Sequence, residues 1–308
     1  MQICTSLQSS RHAYDWYART FQIQSRPRPT APESIGPVAW GEIYGTWGET
    51  DGDGNAAKLD RASGGFLTGI DGAITQNIRL GLVAGYGHSA FDVDERAASG
   101  SSDNVHLGLY GGGRWDALRL SGGLAYTWHA IETNRAAAFS GFADNLSADY
   151  TAATFQAFGE AGYRIETAAT TVEPFAGLAH VSLRTNAFAE EGGAAALLAA
   201  DRTTATTFAT LGVHASRDFD LRGMSATAHS TLVWRQAFGD TVPLSTHAFA
   251  GGDTFTIAGV PIAKDAAIIE AGLELDMTDN ATLGVSYSGQ IARDAQDHGF
   301  GANLAVRF

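Results

Sequence analysis

The chain has 308 residues, 37 of them glycine, and a formal net charge of −13. That acidity argues against nucleic-acid binding, which needs a basic face. No run approaches the roughly 18 apolar residues of a membrane-crossing helix, which excludes helical membrane proteins and says nothing against barrels.

The mean hydropathy of −0.07 is too polar for elements buried on both sides. It suits strands with one wet and one apolar face. The single cysteine, Cys4, allows no intramolecular disulfide and no cysteine metal cluster. Met1–Gln24 lacks a basic start followed by an apolar run, so it does not read as a signal peptide. The expectation is the C-terminal part of a longer precursor, or a misplaced start. A short helix is expected at His12–Gln24. Ser25–Pro37 holds Pro27, Pro29, Pro32 and Pro37, which exclude a regular helix or central strand. Residues 1–37 therefore read as an irregular segment and linker, and 38–308 as one domain.

Within that domain, residues alternate with a period of two, the mark of a strand. Ile78–Ala90 sets Leu80, Leu82, Ala84 and Tyr86 against Arg79, Gly81, Gly85 and Gly87. Asn104–Arg114 opposes Val105, Leu107 and Leu109 to His106, Gly108, Tyr110 and Arg114. The same alternation runs through Leu118–His129, Ala153–Arg164, Ala267–Leu275 and Leu283–Gln290. Weaker strands are read at Trp40–Trp47, Gly65–Ile74, Val172–Leu183, Thr206–Ser216 and Ala226–Gln236. The last is Phe300–Phe308, where Phe300, Ala302, Leu304, Val306 and Phe308 share one face. That makes about twelve strands of about ten residues, the length a tilted strand needs to cross a bilayer.

Short polar turns (75–77, 115–117, 166–169, 217–222, 278–280) alternate with long Gly-, Ala- and Asp-rich loops (48–60, 92–103, 132–149, 184–202, 237–264). Short on one side and long on the other is the pattern of an outer-membrane barrel. Tyr86, Tyr126, Trp128, Tyr163, Trp234, Tyr287 and Phe308 fall on the apolar face toward strand ends, where interfacial girdles sit. The fold expected is an all-β, transmembrane, antiparallel up-and-down barrel. The competing reading is a soluble sandwich with a dry core.

The opposite face carries Glu42, Arg79, His106, Arg114, Arg119, Glu160, Arg164, Glu173, His214, Arg235, Glu270, Glu274 and Arg307. These would line a polar lumen, either as a hydrated channel wall or as ion pairs that keep the interior wet. Asp51, Asp53 and Asn55 resemble the start of a calcium loop. Ala56 replaces the turn glycine and Ala62 the bidentate glutamate, so a solvated loop is expected. No Ser-His-acid set is visible: His88 and His180 face outward, and His229 and His298 lie apart in sequence. No catalytic residue, metal or cofactor is expected.

Several stretches together resemble the C-terminal β-domain, or translocator, of an autotransporter of the type V secretion pathway. They are Trp40–Gly48 (WGEIYGTWG) with Asp51–Asn55, Ser99–Gly111, Val172–Ala179 (VEPFAGLA), Asp265–Leu275 and Asn280–Phe308. They keep their order and cover nearly everything from Val38 onward. The resemblance implies a twelve-stranded barrel in a Gram-negative outer membrane, contacting lipid and lipopolysaccharide. It implies an N-terminal passenger, tethered by a helix in the pore and not contained in these residues. It also implies a terminal strand read by the outer-membrane assembly machinery, with Phe300, Leu304, Val306 and Phe308 as the signal. Family members that cut their own linker use an Asn; Ser25–Pro37 has none. A monomer is expected. The alternatives are a plain pore without export and a barrel enzyme.

Overall fold

The structure, a computed structural model, describes residues 36–52, 57–93, 97–168 and 170–308. The helix expected at His12–Gln24, the linker before Gly36 and the positions Asp53 and Asn55 lie outside the described residues.

Twelve long strands each pair antiparallel with their sequence neighbours. They are β1 Val38–Thr50, β2 Leu59–Ala73, β3 Ile78–Val93, β4 Ala98–Trp115, β5 Leu118–Phe139 and β6 Phe142–Tyr163. The second half is β7 Thr171–Thr185, β8 Arg202–Leu221, β9 Met224–Gly239, β10 Asp265–Thr278, β11 Ala281–Ala292 and β12 Ala295–Arg307. The ring closes where β1 meets β12, from Val38 opposite Arg307 to Thr50 opposite Ala295. Closure leaves none of the twelve as an edge. In lipid that is obligatory, because nothing there can satisfy an open row of N–H and C=O groups.

The two faces are the reverse of a soluble protein's. Asn104, His106, Thr127, His129, Thr154 and Gln156 point inward and are almost fully buried. Their neighbours Val105, Leu107, Tyr126, Trp128 and Phe155 point outward and are each at least 40% exposed. A polar inside under an apolar outside is stable only where the outer solvent is hydrocarbon. The soluble-sandwich reading fails on this point.

The turns on one side are short. Arg222 (φ 57°) and Gly223 (φ 87°) form a two-residue turn between β8 and β9. Two consecutive positive φ values match the right-handed twist of the flanking strands.

The other side departs from the sequence expectation. The loops expected at 92–103 and 132–149 are mostly strand: β5 and β6 run 22 residues each and are joined only by Ser140 and Gly141. At ~3.3 Å per residue such strands are about 70 Å long, far more than a bilayer requires. Past the membrane the outer face meets water and the alternation inverts. Ile131, Leu146, Ala148 and Tyr150 now point inward and are buried, while Glu132, Asn134, Ser147 and Asp149 point outward. These inward residues form an apolar cluster with Ala152, Leu183 and Phe188. Two further loops fold into a small second sheet. Its strands, in order, are Thr254–Ala258, Leu244–Phe249, Leu197–Ala199 and Phe188–Ala189.

Candidate functional site: the lumen and its two mouths

At the short-turn mouth, four strands contribute to one hydrogen-bonded chain. Trp40 Nε1 donates to Tyr110 Oη at 2.6 Å, and Tyr110 Oη donates to Asp71 Oδ2 at 2.9 Å. Arg79 Nε donates to Asp71 Oδ1 at 2.9 Å. The Asp71 side chain is 1% exposed, so an ionised carboxylate there needs these partners. Arg79 Nη2 also reaches the carbonyl of Gly36 at 3.4 Å.

Further along the wall, Arg119 of β5 holds two carboxylates. Its Nε donates to Glu173 Oε1 at 2.5 Å, and its Nη2 donates to Glu160 Oε1. His214 Nε2 lies 3.6 Å from the same Glu160 oxygen, and its Nδ1 is 2.9 Å from Thr231 Oγ1. Glu160, Glu173 and His214 together bring potential metal ligands within 4.8 Å of one another. The Arg119 guanidinium already bridges both acids and supplies the positive charge a cation would bring. The cluster therefore reads as an ion-paired triad with a histidine beside it.

Near the far mouth, Arg61 Nη2 pairs with Asp297, and Arg61 Nη1 donates to Thr50 Oγ1 at 2.8 Å. Gln290 Nε2 donates to Asp297 Oδ2 at 3.3 Å, and Arg235 Nη2 donates to Gln290 Oε1 at 2.6 Å. The Arg235 guanidinium also lies 5.4 Å from the centre of the Phe208 ring. Polar groups thus run round the wall from β2 across β1, β12 and β11 to β9.

The second sheet sits over this far mouth and is fastened by charge. Arg135 Nε and Nη2 donate to the two oxygens of Glu190 at 2.7 and 2.5 Å. Arg202 Nη1 donates to Ser245 Oγ at 2.7 Å, and Ser245 Oγ is 2.7 Å from His247 Nε2. Burial pushes the His247 pKa down to about 4, with Arg202 adding to the effect. Ser245 and His247 are a hydroxyl–imidazole pair that the sequence reading missed. Both are at most 2% exposed, and His247 Nδ1 has no hydrogen-bond partner among the described residues. The pair therefore lacks both substrate access and an orienting acid. Below it, Ile262 packs on a lumenal apolar cluster of Phe158, Ala179, Val181, Phe208 and Ala237.

The residues singled out from sequence fall as follows. Glu42, His106, Glu160, Glu173, His214, Arg235 and Glu274 point inward and are buried; Arg119 and Glu270 point inward and are half-buried. Arg79 lies at the entrance. Arg114 and Arg307 stand at the short-turn rim. Arg164 also sits there and pairs with the exposed Glu166 at 2.8 Å. Phe300, Leu304 and Phe308 are exposed on the outer face, and Val306 is half-buried on it. His88 and His180 lie outside, bound to Asp103 (2.9 Å) and Thr207 (3.0 Å). Asp71, Arg61, Asp297 and Gln290 were not singled out from sequence. Their partners lie on other strands, so only the register could reveal them.

This is a closed membrane barrel with a polar bore, entered at one end past a fixed network and covered at the other by its own loops. A family model of the autotransporter β-domain matches residues 39–288. An extracellular serine protease of Serratia marcescens is 34% identical over 291 residues, which are 94% of this chain and 28% of that protein. A second extracellular serine protease of the same organism is 34% identical over 271 residues, 88% of this chain and 26% of that protein. The translocator domain of the autotransporter NalP from Neisseria meningitidis superposes with a TM-score of 0.78 at 16% identity, covering 97% of this chain and 98% of that one. The β-domain of the Bordetella autotransporter BrkA gives 0.67 at 18% identity, covering 89% and 100%.

The chain belongs to the autotransporter β-domain family, and it is a translocator barrel of the Gram-negative outer membrane. It spans little more than a quarter of the length of the Serratia proteins it matches.

Proposed function

We propose that this barrel supports export of a passenger joined upstream of Gly36, and that the passenger's tether runs through the lumen. The observation that carries this reading is the inner wall. It is hydrogen-bonded and charged from Arg79 and Asp71 at one mouth, past Arg119, to Arg61 and Asp297 near the other. A polypeptide in transit keeps its backbone groups solvated in such a bore, whereas an apolar bore would strip them of water at several kcal/mol each. Glu42, His106, Arg119, Glu160, Glu173, Arg235, Glu270 and Glu274 are the hydrated wall in this reading. Arg79, Arg114, Arg164 and Arg307 mark its periplasmic rim.

Phe300, Leu304, Val306 and Phe308 are the assembly signal, read by the outer-membrane assembly machinery as β12 closes on β1. The outer face meets lipid and lipopolysaccharide as a monomer, since the ring offers no open edge to a second copy. The barrel itself is not an enzyme. The proteolysis in the names of the Serratia relatives belongs, in this reading, to the parts of those proteins outside the matched region.

The test is surface display. A signal peptide and a protease-sensitive reporter are fused before Met1 and expressed in a Gram-negative host. Protease added to intact cells should destroy the reporter while the barrel remains. A reporter that stays protected beside a normally inserted barrel would remove export from the account.

A further inference from the structure

The step where the upstream chain joins the barrel is held from two sides. Phe308 N donates to the Pro37 carbonyl at 3.0 Å, so the last residue of the chain is fastened to the first of the wall. Gly36 lies so close to the end of β12 that a Cβ there would stand 2.0 Å from the Phe308 carbonyl oxygen. No other residue fits without moving one of the two backbones. Pro37 brings no N–H and a fixed φ, so it cannot prolong the β1 ladder in the periplasmic direction.

The second hold comes from β3. Arg79 Nη2 is 3.4 Å from the Gly36 carbonyl. β2 lies between β1 and β3, with Val38 opposite Asp71 and Gly72 opposite Leu80. A β3 side chain that reaches Gly36 must therefore arch over the inner face of β2, where Asp71 receives it. The Gly36 carbonyl consequently faces the lumen. Asp71 is itself fixed by Tyr110, and Tyr110 by Trp40, so the guanidinium is aimed from behind.

We propose that Arg79 is a positioning residue for export. With Asp71 behind it and the Phe308 carbonyl opposite, it clasps Gly36 and sets the point where the upstream chain turns off the wall into the lumen. This deepens the export reading by naming what directs the tether, and its test needs no passenger and no export.

The full chain, with Cys4→Ser and Ser34→Cys, is purified and refolded in detergent. The new thiol is then reacted with a maleimide carrying a polymer too large to enter the barrel. The refolded state is verified by the mobility shift of unheated samples. Labelling should be slow in the parent. In Arg79→Ala it should rise about tenfold, the change that loss of one charge-assisted hydrogen bond produces. Arg79→Lys, which keeps the charge and loses the fork, should fall between. Arg235→Ala removes a lumenal cation away from the entrance and should label like the parent. If Arg79→Ala does not refold, Asp71→Asn replaces it with the same expectation. Fast labelling in the parent, or equal labelling in folded parent and Arg79 or Asp71 variants, overturns the clasp. Either result leaves surface display of a reporter to be decided by its own experiment.

Discussion

Arg61 on β2 and Asp297 on β12 pair across β1, directly over Gly48, so a salt bridge spans the seam where the barrel closes. Gly48 is the register partner of both, and a Cβ on it would stand 2.0 Å from Asp297 Oδ1. Strands two apart are about 10 Å apart. Their side chains meet only if the strand between them presents none. The device recurs. Asp71 meets Tyr110 over Gly81, where a Cβ would be 2.7 Å from Asp71 Cβ and 2.5 Å from Tyr110 Cζ. Arg119 meets Glu173 over Gly162, where a Cβ would be 2.5 Å from Glu173 Oε1. Part of the high glycine content therefore serves side-chain crossings on the lumenal face.

Gly48→Val should separate Arg61 from Asp297 and leave two buried charges without each other. Breaking a buried pair costs about 3–5 kcal/mol. The variant should lose its unheated gel mobility at a lower temperature than the parent. Arg61→Met combined with Asp297→Leu removes both charges and should lie much nearer the parent. A Gly48→Val barrel as heat-resistant as the parent would show that the crossing does not fasten the seam.

The inversion of the alternation between His129 and Ile131 marks where the outer face leaves the membrane. Leu107→Arg, on the outward face within the apolar band, should cost about 2–4 kcal/mol near the midplane. Asn134→Arg has the same outward direction beyond the inversion and should change stability by no more than about 0.5 kcal/mol. Folding titrations in bilayers measure both. Equal costs would place the boundary elsewhere.

The same inversion explains what the sequence revealed and what it hid. Strand number, order and outward face follow from alternation such as Val105, Leu107 and Leu109, because lipid demands the apolar partner at every second place. The ribbon at 132–149 was read as loop because its outer face, Glu132, Asn134, Ser147 and Asp149, is as polar as a loop. Its inward residues Ile131, Leu146 and Tyr150 carry the opposite phase. The lumenal charges were visible one by one, but their partners were not. Arg61 and Asp297 are 236 residues apart, and only the closing register brings them together.

The cap over the far mouth should loosen in acid. The His247 pKa is pushed from 6.5 down to about 4 by burial and by Arg202. With the cap opened, the imidazole regains its ordinary affinity, so between these values the open form binds more protons than the closed. Closure is thus fully stable above about pH 6.5 and weakens as pH falls toward about 4. Hydrogen exchange of the Ala200 amide, bonded to the Thr246 carbonyl, reads cap opening once corrected for intrinsic rates. His247→Gln should abolish the pH dependence; its persistence would assign the effect to another group.

Phe308→Asp separates folding from assembly. Phe308 is 75% exposed at the interface, where a charge costs about 0–1 kcal/mol. Refolding yield in detergent should stay close to the parent, whereas the amount inserted in cells should drop sharply. Normal insertion in cells would remove Phe308 from the assembly signal.

The account rests on a barrel that crosses the outer membrane with its short turns in the periplasm and its long ribbons outside. Epitope tags inserted between Ser140 and Gly141, and separately between Arg222 and Gly223, test this in intact cells. The ribbon tag should bind antibody from outside. The turn tag should bind only after the outer membrane is opened. Antibody reaching the Arg222–Gly223 tag on intact cells, or failing to reach the Ser140–Gly141 tag on an inserted barrel, would contradict the orientation and the export path built on it.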